Sequence, residues 1–412
     1  MSLNTCLASC LLAAGLLLPG LAGAEQMQAE YSAELTLSEL AERVYQRLPG
    51  KLGENKYSGQ RQANDSVAGA MFADPATANL SHFNDAVGSS DGFQEWEGSV
   101  DLPLWLPGQK QQQQGLSEKI AAQLPAYQQQ LKLQASGEVR ALIWQIKLAE
   151  ADLQQATLAW KTAQKLEQDV ITRVKAGDLP ATERLLANSN TIEAHSKMVD
   201  ADSRLQQTMK TYIFITGEQV LPEQHRETLH NEQQISSSHP QLLLQDLVIQ
   251  RLQAQMGLAQ YDKAVNPNLS LGLRRERGDF DESFNNSIGV GVSFALGDTR
   301  YSQPAVAEAA AELADAQIIR QQALRELNSR LLIKQEQLAG KQKQLVLISE
   351  QDKITQQYYQ LQKRAFDLGE INLIDLLRSQ TLANESQSRK RTLEVEIQQK
   401  IAEVNQALGI SL

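Results

Sequence analysis

Ile288-Gly289-Val290-Gly291-Val292-Ser293-Phe294-Ala295-Leu296 alternates large apolar side chains with small ones. A period of two marks a strand, and here one face is bulky and apolar while the other is nearly bare. An apolar outer face over a small inner face is the pattern of a transmembrane β-barrel. Just upstream, Leu269, Leu271 and Leu273 alternate with Ser270, Gly272 and Arg274, then give way to charge from Arg275 to Arg277. The polar run Gly278 to Asn286 between the two stretches suits an outer loop.

The pattern recurs. Val100, Leu102, Leu104 and Leu106 precede Val290, Val292 and Phe294 by about 190 residues. Pro49 and Pro240 are separated by 191 residues, and Pro75 and Pro267 by 192. Gly177-Asp178-Leu179 and Gly369-Glu370-Ile371 are 192 apart, as are Gly217 and Gly409. Landmarks at a near-constant offset indicate two copies of one unit. Each unit reads as a short amphipathic helix (Leu37 to Leu48, then Gln241 to Tyr261), strands, a helix of some 60 residues, a Gly turn and a shorter returning helix. The first strand pair is the weaker one. Its outer member near Leu80 to Phe83 carries little apolar signal, and Ser58 to Asp91, rich in Gly, Ala, Ser and Asp, lacks the helix expected from the second half and reads as irregular in part. Trp96 and Trp105 suit either membrane interfaces or core packing.

Four strands cannot close a barrel, since small barrels need about eight. Lipid does not tolerate unpaired strand edges, so the reading demands several copies. The helices carry narrow seams. Leu142, Ile146, Ala149, Leu153, Ala156, Trp160 and Ala163 follow alternating steps of four and three, and Leu324, Leu331, Leu338 and Leu345 recur every seven. Such seams belong to coiled coils rather than wide globular cores. A 60-residue helix reaches about 90 Å, long enough to cross a periplasm.

Composition agrees. Aromatic residues make up 5% of the 412, too few for a large conventional core, and the net charge of −10 argues against a nucleic-acid partner. Residues 1–24 read as an export signal, with an apolar run from Leu11 to Leu18 and Ala22-Gly23-Ala24 before Glu25, although no Lys or Arg precedes the run. Cys6 and Cys10 both fall inside it, so the mature chain would hold no thiol. Leu7-Ala8-Ser9-Cys10 resembles a lipidation box but stands before the apolar run, and reads as a chance match. The units then span 25–217 and 218–412, with strands over about 78–106 and 268–297. The helical hairpins cover about 109–217 and 300–409, with tips near 177 and 369.

One tip reads Arg173-Val174-Lys175-Ala176-Gly177-Asp178-Leu179, followed by Glu183, Leu185 and Leu186; the other reads Arg364-Ala365-Phe366-Asp367-Leu368-Gly369-Glu370-Ile371, followed by Asp375, Leu376 and Leu377. With the ordered duplication and the Leu408-Gly409 ending, the chain resembles the TolC family of outer-membrane efflux channels. Pro103-Leu104-Trp105-Leu106-Pro107-Gly108-Gln109 is similar to the CzcC-like branch that serves heavy-metal efflux. The resemblance implies a mainly α fold with a small transmembrane β part. A duplicated strand–long-helix-hairpin unit would form a homotrimeric α-barrel/β-barrel channel. It implies a passive exit duct for small solutes or metal ions, joined to a periplasmic adaptor and an inner-membrane pump of the RND type. It also implies adaptor docking at Gly177, Asp178, Leu179, Gly369, Glu370 and Ile371, and a pore constriction involving Asp375 and Glu183. Arg378 stands where a second acid of the ring is expected and could pair with Asp375 instead.

His82, His195, His225, His230 and His239 show no metal-ligand spacing, and neither cofactor nor catalytic motif is expected. Two alternatives remain at this stage: a periplasmic coiled-coil scaffold or adaptor, and a protein-secretion duct of the same fold.

Overall fold

A computed structural model describes residues 30–262, 266–296 and 299–412. The expected export signal over 1–24, with Cys6 and Cys10, lies outside the described residues. Strands β1 (Glu30–Ser32) and β4 (Val220–Pro222) pair in parallel. Between them come helices α1 (Leu37–Arg47) and α2 (Gly53–Ala68), strands β2 (Thr77–Asn84) and β3 (Gln94–Pro103), and the long helices α3 (Gln109–Ala176) and α4 (Ala181–Thr216). The second half follows with α5 (Pro240–Ala259), β5 (Asn268–Arg277), β6 (Asn285–Ser293), α6 (Gln303–Asp367) and α7 (Leu373–Ala407). The fold is therefore mainly helical with a small sheet.

At 68 residues, α3 extends about 100 Å. The seams read from sequence are its packing stripes. Leu142, Ile146, Ala149 and Ala163 are buried, as are Leu331 and Leu338 on α6, with Leu324 and Leu345 half-buried against the same cluster. The α3 stripe joins α1 and the end of α4 in one core around Leu40, Val44, Met209 and Tyr212. Helix α3 packs against α4 on one side and α7 on the other, and α7 packs against α6. The four long helices thus form a row, α4-α3-α7-α6, with α4 and α6 on its flanks.

The sheet has the order β2-β3-β5-β6, all antiparallel, with β2 and β6 at its edges. Directly paired residues share a face. One face collects Val100, Leu271 and Val290, then Leu80, Leu273 and Ile288. The other collects polar groups apart from Phe83: Asp101 accepts from Asn79 Nδ2 at 2.6 Å and Ser270 Oγ at 2.5 Å, and Arg274 bridges Glu95 and Glu276. The apolar face is open. Ile288 is 82% exposed and Val290 70% exposed. No helix among the described residues is long and apolar enough to cross a membrane.

One sequence expectation fails. The helix expected to be lacking from the first unit is present: α2 runs to Ala68, a 3-10 turn over Pro49–Leu52 leads into it, and irregular backbone between α2 and β3 is confined to 69–76 and 85–93. The counterpart of α5 is therefore Pro49–Ala68, offset by 191 residues, and not Leu37–Leu48. Two glycines in α2, Gly53 and Gly59, lower its helix propensity. What holds it is packing on α3. A side chain at Gly53 would meet Tyr127 Oη at 2.4 Å, Tyr57 lies 4.8 Å from the Tyr127 ring, and Glu54 accepts from Tyr45 and Gln128.

Candidate functional site

The two helix reversals lie together at the end of the molecule far from the sheet. Gly177 has φ +86° and Gly369 φ +76°, the left-handed region that glycine enters without penalty. In each, the residue after the glycine closes a six-to-one hydrogen bond, Asp178 N to Arg173 O and Glu370 N to Ala365 O, both 2.9 Å. These are Schellman endings, which satisfy carbonyls that a helix terminus leaves free. Nothing lies within 4 Å of where a side chain would start at either glycine. The turn surface is bare.

Beneath the turns is a small apolar core of Leu166, Val170, Ala187, Phe366, Leu373 and Leu376. Leu179 and Ile371 pack against it half-buried, so they anchor the turns. What the tip exposes is Gly177, Asp178, Gly369 and Glu370, rimmed by Leu185, Leu368 and Ile374. The sequence motif named the right turns and did not anticipate this division.

Glu183 and Asp375 occupy the same place, the third residue of α4 and of α7. A carboxylate there favours the positive end of the helix dipole. Asn372 caps α7 through its side chain, accepting from Asp375 N at 2.9 Å. Asp375 is exposed, whereas Glu183 is half-buried and its Oε2 has no hydrogen-bond partner. Arg378 is exposed and makes no ion pair with Asp375 among the described residues, so the bridge suggested by their spacing does not form.

A residue quoted only as part of a turn motif proves to connect the two tips. Arg173 donates from Nη1 to Phe366 O at 3.0 Å and from Nη2 to Asp367 O at 2.9 Å. Its guanidinium lies 5.0 Å from the Phe366 ring centre and 3.7 Å from the Asp367 carboxylate. A cation at the end of α6 meets the negative end of that helix dipole. Only the offset of about 190 residues between the copies hints at the contact, because repeated turns end at the same level.

Four of the five histidines serve packing or capping. His82 stacks on Trp96, His195 on Trp160, and His225 meets Trp144 edge-on. His239 is buried and caps α5, its Nδ1 accepting from Gln241 N at 3.2 Å.

Both flanks of the molecule are unfinished. Helix α4 presents Leu185, Ile192 and Val199 at intervals of seven, all exposed. Helix α6 presents Ile333, Leu347, Ile354 and Leu361, also in heptad register and exposed. These are second seams, distinct from the buried ones. They lie on the two helices that end the row, just as the edge strands β2 and β6 end the sheet.

No protein-family model and no curated protein sequence matches the chain. Solved structures do. The outer membrane protein VceC from Vibrio cholerae superposes with a TM-score of 0.70 at 14% identity, over 91% of this chain and 96% of that one. CusC gives 0.69 at 13% identity, over 94% and 98%. The CmeC outer membrane channel of Campylobacter jejuni gives 0.67 at 14% identity, over 98% and 94%. The chain shares the fold of these proteins along nearly its whole length.

Proposed function

We propose that this chain is the outer-membrane exit duct of a tripartite efflux system, a TolC-type channel that acts as a homotrimer and is not an enzyme. Three copies would join twelve strands into one barrel in lipid and twelve long helices into a tunnel extending through the periplasm. The observation that carries the reading is that both flanks are unfinished in the same sense. A sheet with two free edges and an open apolar face cannot sit alone in lipid. An exposed heptad seam on each outer helix is the surface a neighbouring copy would cover. The likeness in fold to VceC, CusC and CmeC supports it.

In this reading the duct conducts small solutes or metal ions passively, with energy supplied by an inner-membrane pump, of the RND type, through a periplasmic adaptor. The bare turns at Gly177-Asp178 and Gly369-Glu370 are the docking surface for the adaptor, with Leu179 and Ile371 holding their shape. Asp375 and Glu183 are the acids of the narrow end, where a ring of carboxylates would attract cations. The open-edged sheet weighs against a water-soluble scaffold.

The test is the mass of the detergent-solubilised protein together with electron-microscope images. A long hollow trimer is expected. A compact monomer soluble without detergent overturns the proposal. Sensitivity of a deletion strain to metals and to drugs then identifies the cargo.

A further inference from the structure

The apolar face of the sheet ends abruptly toward the loops. Its last apolar row is Leu80, Gly98, Leu273 and Ile288. The next row, on the same face, is His82, Trp96, Arg275 and Asn286, and beyond it stand Asn84, Gln94 and Arg277. Two arginines therefore continue the outward face of β5, spaced by two residues. Arg274, on the opposite face, is neutralised by Glu95 at 2.6 Å and Glu276 at 2.7 Å. Arg275 and Arg277 meet no carboxylate among the described residues.

Phe284 holds both of them instead. The Arg275 guanidinium is 4.4 Å from its ring centre and that of Arg277 is 4.9 Å, with Phe280 a further 5.4 Å contact for Arg277. Stacking orders the two cations without consuming their charge. Arg277 Nε is buried and has no hydrogen-bond partner. A guanidinium nitrogen removed from water without an acceptor is costly. Beside it lies a hollow of about 580 Å³ bordered by Trp96, Gly98, Leu273, Arg274, Arg275 and Ile288.

We propose that this rim is a binding site for a membrane lipid bearing a phosphomonoester headgroup. The proposal rests on the outer-membrane reading. Guanidinium forks match phosphate oxygens in geometry as well as charge. Trp96 sits at the level where aromatic residues gather between hydrocarbon and water. The hollow below has an apolar floor for the upper part of the lipid, and the arginines stand where its headgroup would be. Basic side chains at this depth draw anionic lipids, while the same residues on a lumen face would not.

The test reconstitutes the full chain into vesicles of phosphatidylcholine alone or of phosphatidylcholine mixed with phosphatidic acid. Flotation measures insertion, and native mass spectrometry after detergent extraction counts retained lipids. The wild type is expected to retain phosphatidic acid in preference to phosphatidylcholine. The double variant R275Q/R277Q should lose that preference by roughly thirtyfold. Arg274→Gln removes a cation one residue away on the other face and should keep it. Equal retention of both lipids by the wild type, or loss of preference in Arg274→Gln to the same extent, overturns the lipid site while leaving the membrane reading intact. Failure of the wild type to float with either vesicle overturns the membrane reading itself.

Discussion

Arg173, one turn before the end of α3, holds the last carbonyls of α6 through Phe366, at 3.0 Å from its main-chain oxygen and 5.0 Å from its ring. The reciprocal clasp is absent. The residue 192 places on from Arg173 is Ala365, and Arg364 is exposed. Arg173 thus ties the two tips of one protomer together on top of the apolar core they share. Charge-assisted hydrogen bonds to carbonyls are worth about 2 kcal/mol. Arg173→Leu should loosen the tips without unfolding the hairpins, and Arg173→Lys, which keeps charge but loses the fork, should fall between. Spin labels at cysteines replacing Asp178 and Glu370 would read the change as a broader distance distribution. An unchanged distribution in Arg173→Leu would show that the apolar core alone fixes the spacing.

A second cross-repeat contact lies at the opposite end of the hairpins. Arg140 on α3 forms a bidentate pair with Glu227 at 2.9 and 2.7 Å, and both side chains are nearly buried. Arg140 Nη1 also donates to Ile410 O at 2.9 Å, while Asn405 Nδ2 donates to Glu227 at 3.2 Å. The linker between the units and the end of α7 are thereby fixed to α3. Breaking a buried pair from one side leaves the other charge uncompensated, which costs about 3–5 kcal/mol. Arg140→Met should lower the unfolding free energy by that amount. The double change R140M/E227L should recover most of it, because no charge is then left behind. If the double variant is as unstable as the single one, the hydrogen bond to Ile410 matters more than the charge pair.

The exposed seams predict a separation of assembly from folding. Ile192 on α4 and Leu347 on α6 are 62% and 68% exposed in the lone protomer and lie on its two flanks. Ile192→Asp or Leu347→Asp should leave helix content intact and shift the detergent-solubilised mass from trimer toward monomer. The two changes act on the two halves of one proposed interface, so either alone should suffice. A trimer that survives both would remove the seams from the assembly.

These seams show where the sequence was legible and where it was not. Strand β6 could be read because Gly and Ser alternate with large apolar residues; β2 was faint because only Leu80 among its outward positions is large and aliphatic. The buried heptads of α3 and α6 stood out, yet a helix can carry two seams, and a search for one dry stripe stops at the first. The tips were found through their glycines, whose positive φ is a local property. The clasp by Arg173 is not local, since its partners lie some 193 residues on. Arg275 and Arg277 were read as the approach to a loop, because alternation of faces beyond the apolar rows is visible only once the strand register is known.

The buried cap of α5 should make stability fall in mild acid. His239 is 4% exposed, its Nδ1 must be unprotonated to accept from Gln241 N, and a side chain at Gly409 would lie 2.5 Å from its ring. Burial, and then the charge of Arg330, depress its pKa; burial, and then Lys147, do the same to His225. The sign follows from linkage. Above about pH 6.5 these histidines are neutral in both states and pH has no effect through them. As pH falls below that value the unfolded chain binds protons that the folded chain refuses, so stability drops, by up to about 1.4 kcal/mol per pH unit for each group. The melting temperature should therefore be lower at about pH 5.5 than at about pH 7.5, a window above the ordinary titration of carboxylates. His239→Asn keeps a side-chain acceptor for the helix start and removes the titration. It should abolish the part of the drop due to His239 and leave the part due to His225. A full drop in His239→Asn would mean that the acid sensitivity arises elsewhere in the chain.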